Sequence, residues 1–235
     1  RRDDGDAPEE EFYTNGTQPY CRAPHIYIAL PKRFVPNRRS LTDEQAAAID
    51  IDKTQVQGVS DTVLMTSRGG ATYDRTFLDG FIIAGPDTGN WGARSNAASS
   101  GILQTSDTEL SIHVVRHYAQ PSAFLERMTL RLDGFASLRG DTTGGTATTK
   151  AFTFDGQQLL INYAASAAGA VRIAVCDERD SLIEGYGFDD CGELFGDTIE
   201  QPVTWSGKDL GALKGRTVKL AFELRDADVY ALRIR

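Results

Sequence analysis

Ser60–Phe77, SDTVLMTSRGGATYDRTF, sets the apolar residues Val63 and Met65 two apart, breaks at Gly69-Gly70 and resumes in an aromatic, charged run. Side chains two apart share one face of a strand, and paired glycines supply the positive-φ backbone a tight turn needs. The stretch therefore reads as an antiparallel hairpin. Its tip carries Ser67 and Arg68, and its returning strand carries Asp74 and Arg75, which puts charge at one end of a sheet. A β-scaffold that offers polar groups to a ligand is the expectation.

The same reading extends along the chain. Strand patterns occupy His25–Leu30, Thr62–Thr66, Gly80–Ile83, Gly101–Gln104, Glu109–Val115, Leu125–Leu132, Ala151–Phe154, Gln158–Ala164, Ala170–Cys176, Val203–Trp205, Thr217–Leu224 and Val229–Ile234. Only Thr42–Ile51, with its Thr-x-x-Gln start, reads as a short capped helix. Gly and Pro interrupt nearly everything else, so the fold class is all-β.

With 235 residues, the chain has enough length for one large or two modest domains. Its formal charge of −8 argues against a nucleic-acid partner, because phosphate binding draws on clustered Lys and Arg. No apolar run approaches the roughly 20 residues needed to cross a bilayer, so no membrane partner is expected. The opening RRDDGDAPEEE has no apolar core of a signal peptide, and the chain does not begin with Met, which reads as a processed product or a piece of a longer protein. Three cysteines, Cys21, Cys176 and Cys191, form no zinc-like spacing. A Cys176–Cys191 bridge and buried free thiols are the two readings for the later pair.

The character of the chain changes at Asp133-Gly134, where Arg-rich hairpins give way to the Thr/Gly run GDTTGGTATT. The change divides the chain into two domains, residues 1–134 and 135–235. The second alternates smoothly through FTFDG, LLINYAA, AVRIAVC, VTW, TVKLAFEL and VYALRIR, which suits two stacked antiparallel sheets with Trp205 buried.

Candidate chemistry gathers in the first part. Arg22 precedes a strand and either clamps a carboxylate or a sugar hydroxyl or makes a structural ion pair, and His25 is either a proton-exchanging group or the cap of that strand. Arg68, Asp74 and Arg75 surround the hairpin. Trp91 and Arg94 lie in GNWGARSN, where the Trp either stacks on a sugar ring or plugs the domain. Glu109 opens ELSIHVVRHY and shares a strand face with His113, a carboxylate and an imidazole suited to acid–base work. The competing reading makes Glu109 the partner of a neighbouring Arg. No metal motif is present, since Asp189, Asp190 and Asp197 read as solvated charge ahead of a calcium site, and no cofactor is expected. Nucleophile-elbow, P-loop and dinucleotide signatures are absent.

Taken together, YTNGTQPYCRAPHIYIALPKRF, SDTVLMTSRGGATYDRTF, GNWGARSNAASSGI and RMTLRLDGFASLRG resemble the last blades of bacterial glycoside hydrolase-like proteins related to the invertase/levanase group, family 32. The tail, from TKAFTFDGQQLLINYAASAAGAVRIAVCDE to LKGRTVKLAFELRDADVYALRIR, resembles the β-sandwich that follows the propeller in that group. The resemblance implies the terminal blades of a five-bladed β-propeller with an appended β-sandwich, the rest of the propeller lying upstream. It further implies a secreted or periplasmic bacterial protein with a carbohydrate ligand. In that group two carboxylates in a central funnel hydrolyse glycosides with retention. The Asn-Asp-Pro and Glu-Cys motifs of that chemistry are missing here, and Ala23 stands where the Arg-Asp-Pro segment has its acid. The Ser67 turn resembles the Asp-box of sialidase-type propellers with Gly69 in place of the Asp.

The resemblance and its missing acids together imply a carbohydrate-active fragment, inactive by itself. Glu109 and Asp74 are its candidate catalytic carboxylates, and Arg22, His25, Arg68, Arg75, Trp91 and Arg94 are its candidate substrate contacts. The alternative is a non-catalytic glycan-binding or structural β-module.

Overall fold

The computed structural model describes residues 10–235, so most of the acidic opening lies outside the described residues. The protein is all-β with several open antiparallel sheets, and it divides into two compact units after Leu130.

In the first unit β1 (Glu11–Tyr13), β2 (Gln18–Tyr20), β3 (Ala23–Ala29), β4 (Lys32–Val35), β5 (Val59–Thr62) and β6 (Met65–Ser67) form the three-stranded sheets β1-β4-β5 and β2-β3-β6. These are two halves of one bent meander. β3 runs into β4 through Leu30-Pro31, and β5 runs into β6 through Val63-Leu64. Pro31 has no N–H for the ladder, yet its carbonyl accepts from Val63 N at 3.1 Å and keeps the strands tied across the bend. The hairpin read from Ser60–Phe77 is present in minimal form. Thr66 pairs with Asp74, and the Ser67 hydroxyl accepts from Gly69 N at 3.1 Å and donates to Thr72 O at 2.7 Å.

The expected strand at Gly80–Ile83 is reduced to a single bridge, Thr62 to Ile82. The chain before it leaves the ladder, where Leu78 O accepts from Arg33 at 2.8 Å. The short helix α1 (Asp43–Ala48) has the expected capping box, with Thr42 N donating to the Gln45 side chain at 2.8 Å and Gln45 N donating back to Thr42 at 3.2 Å. It ends at Ala48, earlier than expected, and Asp50 just beyond its C-cap Ile49 has a φ of 52°. A further sheet orders β7 (Ala97–Gln104), β8 (Glu109–Arg116) and β9 (Phe124–Arg131).

The second unit is built on two long strands, β12 and β14, in a sheet completed by β10 (Leu138–Gly140), β11 (Gly145–Thr148), β12 (Leu159–Cys176), β13 (Asp197–Val203) and β14 (Lys219–Ile234). Each of the two long strands spans two expected strands. The break expected between Ala164 and Ala170 is a bulge within one strand, residues 166–169 standing opposite Asp226 alone, whose φ is 42°. Gly169 permits this, since a Cβ there would stand 2.3 Å from Asp226 O. Alternate residues Leu159, Ile161, Tyr163, Val171, Ile173 and Val175 enter one core with Leu220, Phe222 and Leu224.

Trp205 is buried as expected and donates to Ile173 O at 2.7 Å. Ala151–Phe154 contributes one bridge, Phe152 to Val218, rather than a strand, and Phe152 and Phe154 pack against the core. Cys176 and Cys191 are buried free thiols, so the bridged alternative is not formed.

Arg131 ties the entry of this unit to its central strands. It donates to Asn162 Oδ1 at 2.7 Å, to Tyr163 O at 3.0 Å and to Thr198 O at 2.8 Å, pairs with Asp197, and lies over the Tyr230 ring. Arg131→Met removes donors from acceptors held inside the sheet, at a cost of about 2–4 kcal/mol. Urea denaturation is expected to show that loss, and a change below about 0.5 kcal/mol would contradict it.

Candidate functional site

Strand register decides which side chains meet on the bent meander. Tyr13 pairs with Lys32 and Lys32 with Thr62, while Glu11 pairs with Phe34 and Phe34 with Ser60. Directly opposed residues share a face, so Tyr13, Lys32 and Thr62 form one row and Glu11, Phe34 and Ser60 the next. The opposite face holds Phe12, Arg33 and Asp61.

Segment 93–98 is strapped across the first of these faces. Ser60 Oγ donates to Ala93 O, Thr62 Oγ1 donates to Asn96 O at 2.7 Å, and Ala98 N donates to Thr62 Oγ1 at 3.2 Å. Asn96 is fully buried with φ of 65°, a left-handed conformation that Asn tolerates better than most residues. Its amide donates to Ser60 O at 2.9 Å and to Asn90 O at 2.8 Å, and its Oδ1 accepts from Arg116. Arg116 also donates to Glu126 at 2.6 Å and Ile83 O at 3.2 Å. Arg94 lies between these anchors, and Ser95 Oγ accepts from Tyr118 N at 3.0 Å.

The result is a group of two cations and two phenol rings. The Lys32 ammonium lies 4.7 Å from the Tyr13 ring centre, and the Arg94 guanidinium lies 5.6 Å from that of Tyr118 while donating to its hydroxyl at 3.3 Å. Burial, and then the charge of Arg94, push the Lys32 ammonium below its ordinary pKa. Tyr13 donates to Glu11 at 2.8 Å, which raises the phenol's pKa. Among the described residues neither Lys32 nor Arg94 has a carboxylate partner, whereas Arg33, Arg75, Arg116 and Arg127 all do.

The residues singled out from sequence are spread over several elements. Arg22 is half-buried in the turn between β2 and β3, and His25 is exposed on β3. Arg68 is exposed at the hairpin tip, while Asp74 is exposed and accepts from Thr76 at 2.8 Å. The Arg75 side chain is buried, pairs with Glu10 at 3.3 Å and covers Phe12, within a network that continues through Arg33 to Asp61. Trp91 packs against Leu41, Ala46, Ile51 and Val56, and its indole N–H donates to Gly85 O at 2.9 Å. Glu109 pairs with Arg127 and accepts from Thr105 at 3.2 Å, on a different sheet from Asp74. Asp197 belongs to Arg131, and Asp190 accepts from Gly187 N at 3.0 Å.

Two arrangements had no signal in the sequence reading. Tyr13, Lys32 and Tyr118 reach Arg94 only through strand register and the strap. Asp87, His117 and Ser122 form a hydrogen-bonded row, with His117 Nε2 2.8 Å from Asp87 and Nδ1 2.9 Å from Ser122. The His117 ring lies over Gly89, where a Cβ would stand 2.7 Å from it, and meets Phe124 edge-on. The row pins the β8–β9 turn to the turn at residues 87–91. A hollow of about 480 Å³ on the second unit is lined by Arg172 with Glu184, Asp189, Asp190 and Glu223 among others, and Arg172 is already paired with Glu193 at 3.1 Å.

No family model, curated protein or solved structure matches the chain.

The His117 hydrogen bond, and then the Gly89 N–H, hold the Asp87 carboxyl below the ordinary carboxylate pKa. A carboxylate depressed in the folded state stabilises it above its unfolded pKa of about 4, and that contribution disappears as pH falls through the lower folded value. The protection of the Gly89 amide, its exchange relative to the intrinsic rate at each pH, is expected to drop as the pH falls below about 4, and the Asp87→Asn variant should lose this dependence. An unchanged pH profile in that variant would contradict the assignment.

Proposed function

We propose that the chain is a non-catalytic, saccharide-binding β-module of a longer carbohydrate-active protein. In this reading the first unit supplies terminal propeller blades and the second is a β-sandwich. The four antiparallel passes of the bent meander support the blade reading, and the bulged β12–β14 pair with its period-two core supports the sandwich.

The observation that carries the functional reading is the pairing of phenol rings with cations at Tyr13–Lys32 and Tyr118–Arg94. Aromatic faces stack on the C–H face of a sugar, and guanidinium and ammonium groups donate charge-assisted hydrogen bonds to its oxygens. Glu109 is committed to Arg127, which favours binding over hydrolysis. Trp91 is committed to the cluster around α1, so the sugar contacts pass to Tyr13, Tyr118 and Arg94.

A glycan array followed by calorimetry tests this. Tyr118→Ala is expected to weaken saccharide binding by about 1–2 kcal/mol, with no turnover of fructans, arabinans or sialosides by the wild type. Undiminished binding in Tyr118→Ala removes the ring from the site, and robust turnover overturns the non-catalytic reading.

A further inference from the structure

The saccharide reading leaves one property of the face unexplained. The protein has 33 acidic and 25 basic side chains, so cations here have ample opportunity to be neutralised. In the first unit Arg33, Arg39, Lys53, Arg75, Arg116 and Arg127 are neutralised by carboxylates. Lys32 shares a face with the segment that carries Arg94, because its register partner Thr62 and the neighbouring Ser60 hold residues 93–98, and neither cation has a carboxylate partner among the described residues. The Glu11 carboxylate is directed to the Tyr13 hydroxyl instead.

Like charges placed on one face destabilise it, and partial burial of the ammonium adds to that cost. Neither charge sits there through disorder. The backbone on both sides of Arg94 is fixed by Ser60, Thr62 and Asn96, and Lys32 is fixed by its strand. An anion bridging the two cations would relieve the repulsion and use both sets of donors, while the flanking phenols accept a ring.

We propose that Lys32 and Arg94 together form the recognition site for the acidic group of a negatively charged sugar, a uronate or sulfated residue, whose ring lies against Tyr13 or Tyr118. The inference rests on the saccharide reading and adds the ligand's charge to it. Lys32 supplies a point charge and Arg94 a planar fork, a combination suited to a carboxylate or sulfate oxygen pair.

The test is calorimetry with three probes: trigalacturonate, the neutral trisaccharide maltotriose, and tricarballylate as a non-sugar tricarboxylate. Trigalacturonate is expected to bind at least tenfold more tightly than either of the others. Arg94→Gln and Lys32→Gln are each expected to lower its affinity about tenfold, the loss of one charge-assisted hydrogen bond, and to flatten its salt dependence. The exposed-cation variant Arg38→Gln should leave the affinity and the thermal melt unchanged, while Arg94→Gln and Lys32→Gln, which relieve the repulsion, should melt no lower than wild type.

Equal binding of trigalacturonate and maltotriose overturns the charge assignment and leaves the saccharide reading standing. Equal binding of trigalacturonate and tricarballylate keeps the anion site but overturns the saccharide reading. A loss in Arg38→Gln as large as in Arg94→Gln shows only diffuse electrostatic attraction and overturns the site, as does failure of all three probes to bind.

Discussion

Asn96 is the residue on which the first unit depends. It is fully buried in a left-handed backbone conformation, its amide nitrogen serves two carbonyls, its side-chain oxygen receives Arg116, and its carbonyl receives the Thr62 hydroxyl. Its backbone N–H donates to Val115 O at 2.8 Å, so every polar group on the residue is used. Buried polar groups on this scale are tolerated only when all are satisfied, because each orphaned one costs about 1–3 kcal/mol. The bent meander, the start of β7 and the end of β8 are thereby fixed to one another through a polar hub, beside the apolar clusters of the unit.

That hub has a consequence for charge. Strapping residues 93–98 to Ser60 and Thr62 brings Arg94 to the face where strand pairing has already placed Tyr13 beside Lys32. The side chains themselves gain little from the proximity of the two cations, since each cation–ring contact at an exposed site contributes only about 0.5–1 kcal/mol. Backbone and hub hydrogen bonds impose the arrangement, and a fold that holds in place two cations without a carboxylate partner among the described residues is available to a ligand of opposite sign. The other face of the same strands shows the contrast, with Arg33, Asp61, Glu10 and Arg75 closing an ion-pair network around Phe12.

Local signals in the sequence translated well. The Thr42–Gln45 box, the Gly69-Gly70 turn and the period-two runs of the second unit each rest on neighbours close in the chain, and each formed. Trp205 is buried because its alternation matched that of VTW and TVKLAFEL. The readings that moved were those needing contacts across the chain. The gap between Ala164 and Ala170 reads as a strand break but is a bulge in which Gly169 meets the backbone of Asp226, and Gly80–Ile83 reads as a strand but keeps one bridge, with Leu78 turned to Arg33. Arg75 stands out by residue type alone, and its partner Glu10 leaves no trace in the pattern around it, whereas for Trp91 and Glu109 the competing readings, a plug of the domain and a partner for an Arg, are the ones that formed. Arg94 was legible as a candidate, whereas its companions Lys32, Tyr13 and Tyr118 needed the register and the strap.

The juxtaposition of Lys32 and Arg94 is the central claim, and the titration of the Lys32 ammonium followed by NMR tests it most directly. Burial and the neighbouring guanidinium should place its pKa below that of an ordinary lysine, and Arg94→Gln should raise it part of the way back, because burial remains. An ordinary lysine value that Arg94→Gln leaves unmoved would show that the two cations do not share a face, and the account of the site would fail with it.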